Sequence, residues 1–535
     1  MTPKQLKETA DQLFSKKGGL NSLFQELAEN FYVERATFTS TRSLGTDFAA
    51  NLTTSYPVKC RRDLGNQFGT MLRPTAKPWF HVARRHHPNE SHEVKEALEY
   101  FETVQRRAMY DQRSMFTKAT KEADHDFATF GQCAMSIEVN RNADGLLYRC
   151  WHLRDMAWQE GAEGGLCFIA RKWKPHARTL VQTFKDVDPK IAAMAEKTPF
   201  EEVECLHMVC DADMYDGNAM GRPRWSVWYD CANNKVLQAN PIWGRHYIIP
   251  RWQTVSDSQY SYSPATVCAL PDARLLQAMT WTLLEAGEKA TSPPVIATKD
   301  AVRSDIALYA GGITWVDQDY DERLGEALRP LNQDFRGFNF GLAMNQDTRA
   351  MLHQAFFLDA LTLPQRAPEM TAYEVGQRVQ EYIRNALPLF EPMEQEYNYA
   401  LCDESFDLLW RHGAFGNPAS WPRELQGAAI DFTFESPLHD AIEQQKGQKF
   451  QEAGQLIASA VALDQTCAYV PKAEVALRDA LKGIGVPTRW LNDEATVQLA
   501  KKNAAQQAQA AQLLANLEQG STVAKNLGQS GLIPA

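Results

Sequence analysis

The sequence lacks the short motifs with which soluble enzymes commonly hold a phosphate, a nucleophile or a catalytic metal. No GxxxxGK[ST] run is present, so no loop of that type cradles a phosphate. GxSxG and HExxH are also missing, and the glycine pairs in GGLNSLF and GGITW do not form a dinucleotide fingerprint. No window approaches 18 consecutive apolar residues, so no transmembrane helix is expected. The opening MTPKQLKETADQLFSKKGG reads as a lysine-bearing amphipathic helix without the apolar run of a secretory signal. Positive charge is in short supply: 56 Lys and Arg face 66 Asp and Glu, a formal net charge of -10. Tight electrostatic clamping of nucleic acid rests on phosphate neutralisation, and this balance argues against it. Ten cysteines are scattered with no CxxC pair, which points to free thiols in a reducing compartment. There is no internal repeat.

What is present says folded. Hydrophobic residues make up 44% of 535, with 13 Trp and 25 Phe, and a chain of this length supports two to four subdomains. Residues 4–35 read as helical, on Leu6, Leu13, Leu20, Leu23, Phe24 and Leu27. Residues 36–75 are mixed in character, and a short strand is expected around Trp79–Val82. An amphipathic helix is expected over His92–Lys121, and a second helical piece reaches Phe130 before Gly131 breaks it. CAMSIEVN, LYRCWHL and CFIARKW read as strands, residues 175–197 as helix, and residues 201–252 as a run of short strands. Ser263 and Pro264 have the cap and first-turn chemistry of a helix start, and that helix ends at Pro293-Pro294. PVIATKD and GGITWVD are strand-like, 336–358 is helical, and the chain after Pro437 is mostly helical, ending in an Ala/Gln-rich stretch.

The segment Leu358–Arg384, LDALTLPQRAPEMTAYEVGQRVQEYIR, combines a proline-bounded loop with a helix start. Thr371 and Glu374 have capping-box spacing, and the loop presents Arg366 between Pro364 and Pro368. The helix is expected to run to about Arg411, kinked at Pro388 and Pro392, with Gly413 as its stop.

Candidates for chemistry are few. His81, His86, His87 and His92 form a histidine-rich segment, but Pro88 interrupts it and a metal would need a rigidly held third ligand; a solvated turn is the better reading. Asp124-His125-Asp126 sits on a helix where adjacent side chains diverge, which favours a surface histidine over a converging triad. Cys205, His207 and Cys210 lie on or beside a strand without a second ligand pair at zinc spacing.

The order of these elements resembles the head-to-tail connector, or portal, proteins of short-tailed bacteriophages. The likeness rests on LGNQFGTMLRPTAKPWFHV, the His92–Phe130 helices with GQCAMSIEV, YSYSPATVCALPDARLLQAMTWTLLEAGEKATSPPVIA, and LPQRAPEMTAYEVGQRVQEY, in that order along most of the chain. The resemblance implies an α+β, mainly helical, portal-type fold. Residues 1–170 and 293–432 would form the wing, 171–200 and 263–292 the paired stem helices, 201–262 a β-rich clip, and 433–535 a helical crown with a flexible tail. Residues 361–370 would form the channel loop, with Pro364, Gln365 and Arg366 approaching DNA. It implies a dodecameric ring at one capsid vertex, assembled in the host cytoplasm, through which double-stranded DNA is packaged and ejected. The partners would be the terminase large subunit, tail adaptor proteins, and the major capsid and scaffolding proteins. No enzyme activity, cofactor, metal or membrane is expected. Two alternatives stand beside it: a soluble metal-dependent hydrolase using the His81–His92 segment, and a self-assembling virion scaffold component that does not conduct DNA.

Overall fold

The computed structural model describes residues 1–297 except 44, 76, 86–90 and 257, a few positions between 302 and 323, residues 328–330, 336–361 and 393–434, and most of 437–511. It is a mixed helix and strand structure, and the chain divides into two compact units.

The first unit holds Met1–Trp79 and Gln105–Ala414. Its centre is a five-stranded antiparallel sheet of β4 (Met156–Glu160), β5 (Leu166–Trp173), β6 (Cys205–Asp211), β7 (Arg224–Asp230) and β8 (Lys235–Ile242), in that order. Alternation along the strands gives the sheet two apolar faces. One carries Phe168, Ala170, Met208, Cys210, Trp225 and Val227 against Leu6, Ala10 and Leu13 of helix α1 (Pro3–Lys16). The other carries Cys205 and Leu237, with Trp173 and Trp228, beneath α6 (Ala177–Thr183) and α7 (Pro189–Lys197).

This sheet corrects two expectations. Residues 175–197 are not one helix. They break after Thr183, and Asp188 starts a second helix by accepting from Lys190 N, with Pro189 in the first turn. Both short helices pack on the sheet, not alongside residues 264–290. The β-rich segment 201–262 is also not a separate insertion, because β6 pairs along its length with β5.

A second sheet, β3 (Leu146–Trp151), β2 (Ala134–Val139) and β9 (Tyr247–Ile248), lies beside α5 (Phe116–Phe130). The expected 4–35 helix is two, α1 and α2 (Gly18–Phe31), bent at Lys17. Within residues 36–75 the chain forms α3 (Tyr56–Leu72), a helix hidden in the sequence by Gly65 and Gly69. Gly65 serves close approach, since a Cβ there would fall on the His125 ring of α5. The long helix expected from His92 stops as α4 (His92–Met109). Ser114 Oγ donates to Met109 O at 2.5 Å and Met115 takes φ 56°, so α5 starts afresh at Phe116. Gly131 ends α5 at φ 71°, as expected, and Gly413 follows the Tyr399–Arg411 helix at φ 70°. Residues 253–262 form the small hairpin β10 (Gln253–Thr254) and β11 (Ser261–Tyr262).

The second unit holds Phe80–Val104 and Phe415–Ala535. Here β1 (Phe80–Arg84) pairs antiparallel with β14 (Ile430–Phe434), and Phe101 packs against Phe415 and Trp421. Helices Pro437–Leu463 and Ala473–Gly483 pack together, in keeping with the helical reading after Pro437.

Gly131 is a point where sequence is fixed by space. A Cβ there would overlap the backbone of Tyr262 and Ser263, and its φ is left-handed. Gly131→Ala is expected to lower unfolding free energy by about 2 kcal/mol or more, from left-handed strain plus overpacking, measured by urea unfolding; an unchanged midpoint would show the contact to be soft.

Candidate functional site and its supports

The longest helix described in the first unit is α8 (Pro264–Thr291), 28 residues and so about 42 Å long. Its start is locked. Ser263 Oγ accepts from Thr266 N at 3.4 Å and donates to Ala128 O at 2.7 Å, while Thr266 Oγ1 donates to Thr129 O at 2.7 Å. Ser261 Oγ donates to Gly131 O at 2.6 Å. Ala265, Ala269, Leu270, Ala273 and Leu276 are buried at its base. Gln277 then clamps the loop before α3, its Oε1 accepting from Thr53 N and Thr54 N and its Nε2 donating to Thr54 O. Arg274 pairs with Glu26.

Beyond Leu276 no residue of α8 is buried. Among the described residues, the helix from Thr280 onward packs on α9 (Arg336–Ala355), which runs antiparallel to it. Thr280 meets Asn345, whose Nδ2 donates at 3.2 Å, and Gly341 faces Leu283, where a Cβ would come within 2.9 Å of Cδ2. The same register continues into β12 (Val295–Ala297) and β13 (Leu328–Pro330), which pair Val295 with Pro330. Helix α9 returns to the core at Thr348, Leu352 and Phe356, with Phe356 edge-on to Phe31 at 5.4 Å. The result is a projecting helical hairpin tipped by a strand pair. It bears large apolar side chains in the open: Trp281 is 66% exposed, Leu284 55% and Phe340 73%.

Buried charge fixes the body beneath it. Arg73 donates to Asp124, and to Asn398 Oδ1 at 3.0 Å, while Tyr397 OH donates to Asp124 Oδ1 at 3.0 Å. Burial works against the Arg73 charge, but Asp124 more than offsets it and holds the guanidinium protonated. Arg35 makes two bonds to Asp126, at 2.9 and 2.5 Å. The Asp-His-Asp run is therefore not a surface feature. Its two carboxylates are buried and reach different arginines. His125, held down to about 4 by burial and by Arg61, accepts from Arg61 Nη1 at 3.2 Å. Lys17 is buried and donates to Leu153 O and Met156 O at 2.6 and 2.8 Å; burial brings its pKa to about 7.

The sequence of the family described as bacteriophage head to tail connecting protein matches residues 3–491. The chain belongs to that family. It is 22% identical over 477 residues to the portal protein of Salmonella phage epsilon15, covering 85% of this chain and 82% of that one. It is 27% identical over 286 residues to the probable portal protein of Bordetella phage BPP-1, covering 52% of this chain and 50% of that one. Solved structures with a similar path include one from the virion of a native gene transfer agent particle, at 10% identity and TM-score 0.35 over 85% of this chain and 98% of that one. Another comes from the neck of an empty particle of that kind, at 10% identity and TM-score 0.36 over 86% and 99%.

In this head-to-tail connecting protein, Pro364, Gln365 and Arg366 lie outside the described residues, as do the Thr371 cap and the kinks at Pro388 and Pro392. His86 and His87 do too; His81 Nδ1 is bonded to Glu102 at 2.7 Å. Among the described residues no group of three or more His, Cys, Asp or Glu is placed to hold a metal. Cys205 and Cys210 face opposite sides of the sheet. Both His207 nitrogens are engaged. Arg171 Nε donates to Tyr247 OH, which leaves the Tyr247 proton for His207 Nδ1 at 2.5 Å, and Nε2 donates to Ser226 Oγ at 2.8 Å. The pairing of α8 with α9, and the Arg73 and Lys17 locks, were missed from sequence; only Gly341 opposite a leucine-rich helix signalled close packing there.

Two measurements probe the supports. Arg73→Ala strands the Asp124 carboxylate and is expected to cost about 3–5 kcal/mol, whereas Arg73→Met combined with Asp124→Leu is expected to recover much of it in the same urea titration. For Lys17, the folded pKa near 7 lies below the ordinary 10.5, so the unfolded chain binds the proton more tightly. Stability from this group is fully present above about 10.5 and lost as pH falls toward 7. Relative to Lys17→Met, the native protein should therefore gain in urea midpoint between pH 7 and pH 9.5; a pH-independent gap refutes the buried-amine account.

Proposed function

We propose that this connecting protein is the subunit of a ring at one capsid vertex, the conduit through which double-stranded DNA is packaged and later ejected. The observation that carries the reading is the family match over residues 3–491. The acidic balance supports it, because a wall of excess carboxylates lets a phosphate backbone slide without being gripped, and each added copy multiplies that charge. Copies meeting head-to-tail close into a ring when the rotation between neighbours divides a full turn.

Within this reading the α8–α9 hairpin takes the place of the stem, because those two helices pair and project. Residues 292–335, between them, take the place of the clip, and the five-stranded sheet joins the wing. This layout replaces the one expected from sequence, with its stem helix at 171–200 and clip at 201–262. The helices after Pro437 serve as the crown, and residues 361–370 as the channel loop, with Arg366 making passing phosphate contacts. The terminase large subunit and later the tail adaptors dock on the clip; capsid and scaffolding proteins meet the outer body.

Images of the purified protein down its symmetry axis are expected to show uniform rings whose opening admits a B-form duplex. Single subunits under every assembly condition, or rings without such an opening, overturn the proposal. Deleting residues 298–327 is expected to leave rings intact and abolish motor-driven packaging, while Arg366→Ala rings assemble and package at an altered rate.

A further inference from the structure

The hairpin carries two apolar patches, and helix geometry places them on opposite faces. At about 100° per residue, Leu284 projects roughly a quarter turn to one side of the Leu276–Leu283 line that faces α9, with Trp281 further round on that side. Leu275 projects a quarter turn to the other. On α9, measured from the Gly341–Asn345–Leu352 line that faces α8, Leu342 lies a quarter turn one way and Phe340, Met344 and Met351 a quarter turn the other. Antiparallel packing brings Leu342 out on the face of Leu284 and Trp281. It brings Phe340, Met344 and Met351 out on the face of Leu275. All seven side chains are exposed.

The patches also match in height. The Thr280–Asn345 and Leu283–Gly341 contacts set Trp281 level with Met344, and Leu284 level with Gly341 and Leu342. Each patch amounts to a few hundred Å² of apolar surface, the size that on a single chain marks an interaction site. Of the charges nearby, Lys289 pairs with Glu285 and Arg274 with Glu26, while Glu288 and Asp347 are exposed at the edges of the two patches.

We infer that the occupant of each patch is a second copy of this chain, docked through the opposite patch. The Trp281–Leu284–Leu342 face of one subunit packs on the Leu275–Phe340–Met344–Met351 face of the next. A two-fold dimer would bring one face against itself and leave the other bare. Two different faces at one height are satisfied together by a single kind of contact when the repetition is head-to-tail. The inference rests on the ring reading and adds which side chains make the contact and in which sense.

The test uses the full chain in a Cys268→Ser background, since Cys268 is exposed on α8. Leu284→Cys combined with Met344→Cys is expected to give, on mild oxidation, a ladder of covalent species extending well beyond a dimer. Either single variant is expected to give none. If Leu284→Cys alone forms dimers, the contact is two-fold and the inference fails. If microscopy shows rings but the double variant gives no ladder, the inference fails while the ring reading stands; absence of rings in the unaltered protein defeats the ring reading itself. As a second arm, Trp281→Glu with Leu284→Glu is expected to reduce the solution mass from assembly to single subunit. Because both side chains are exposed, the thermal unfolding and circular dichroism of the separated subunit should match those of unaltered protein dissociated in the same way. Assembly of unchanged mass and stability would overturn the proposal.

Discussion

The constraint on which this structure turns is the end of the core at Leu276. Up to that residue, α8 is an ordinary buried helix, seated by Ser263 and Thr266 on the carbonyls that end α5 and by Gln277 on the loop before α3. Past it, the helix runs about 15 more residues, some 22 Å, and among the described residues its far part packs on α9. Two helices in contact bury one stripe each and leave their outer faces wet. Trp281, Leu284 and Phe340 on those faces are exposed, as suits a protein that completes its packing by repetition.

A projecting element is useful only if its base does not yield. The body supplies that stiffness through charges that have nowhere else to go. Arg73, Asp124, Tyr397 and Asn398 join α3, α5 and the segment leading into the Tyr399–Arg411 helix, and Arg35 with Asp126 ties the end of α2 to α5. Such pairs add little net stability over well-packed apolar groups, yet breaking one partner is costly. Their effect is to penalise rearrangement, which suits a part that must stay in register while load passes along it. Lys17 acts in the same sense at the α1–α2 bend. As a neutral amine it has two N–H groups, matching the carbonyls of Leu153 and Met156.

The sequence made some of this legible, for identifiable reasons. Ser263-Pro264 announced the start of α8 and Pro293-Pro294 its end, because capping and proline chemistry are local. Gly131 and Gly413 announced helix ends for the same reason. What could not be read was non-local. Gly65 and Gly69 disguised α3, although they are there because another helix lies against them. The strands at 156–173 and 205–242 looked like separate groups since hydrogen bonding between β5 and β6 leaves no mark in either segment alone. The segments could be read as strands, but the choice of partner did not show. Residues 175–197 read as one helix, and the resemblance then made 171–200 a stem helix; the five-residue break before Pro189 carries little signal. The Arg366 loop, the most suggestive motif in the chain, lies outside the described residues and gained no structural support.

The asymmetry of the hairpin bears on how a ring of such subunits would accommodate a moving duplex. Apolar contact between unlike faces is non-directional and tolerates small changes of angle between neighbours better than a lattice of buried ion pairs would. The locks built on Arg73 and Arg35 are confined to the interior of the subunit, whereas the faces offered to a neighbour are Trp, Leu, Phe and Met, the last of these the most adaptable of large side chains. Rigidity within the subunit and compliance between subunits is the division expected of a conduit that holds its shape while its neighbours shift slightly around the axis.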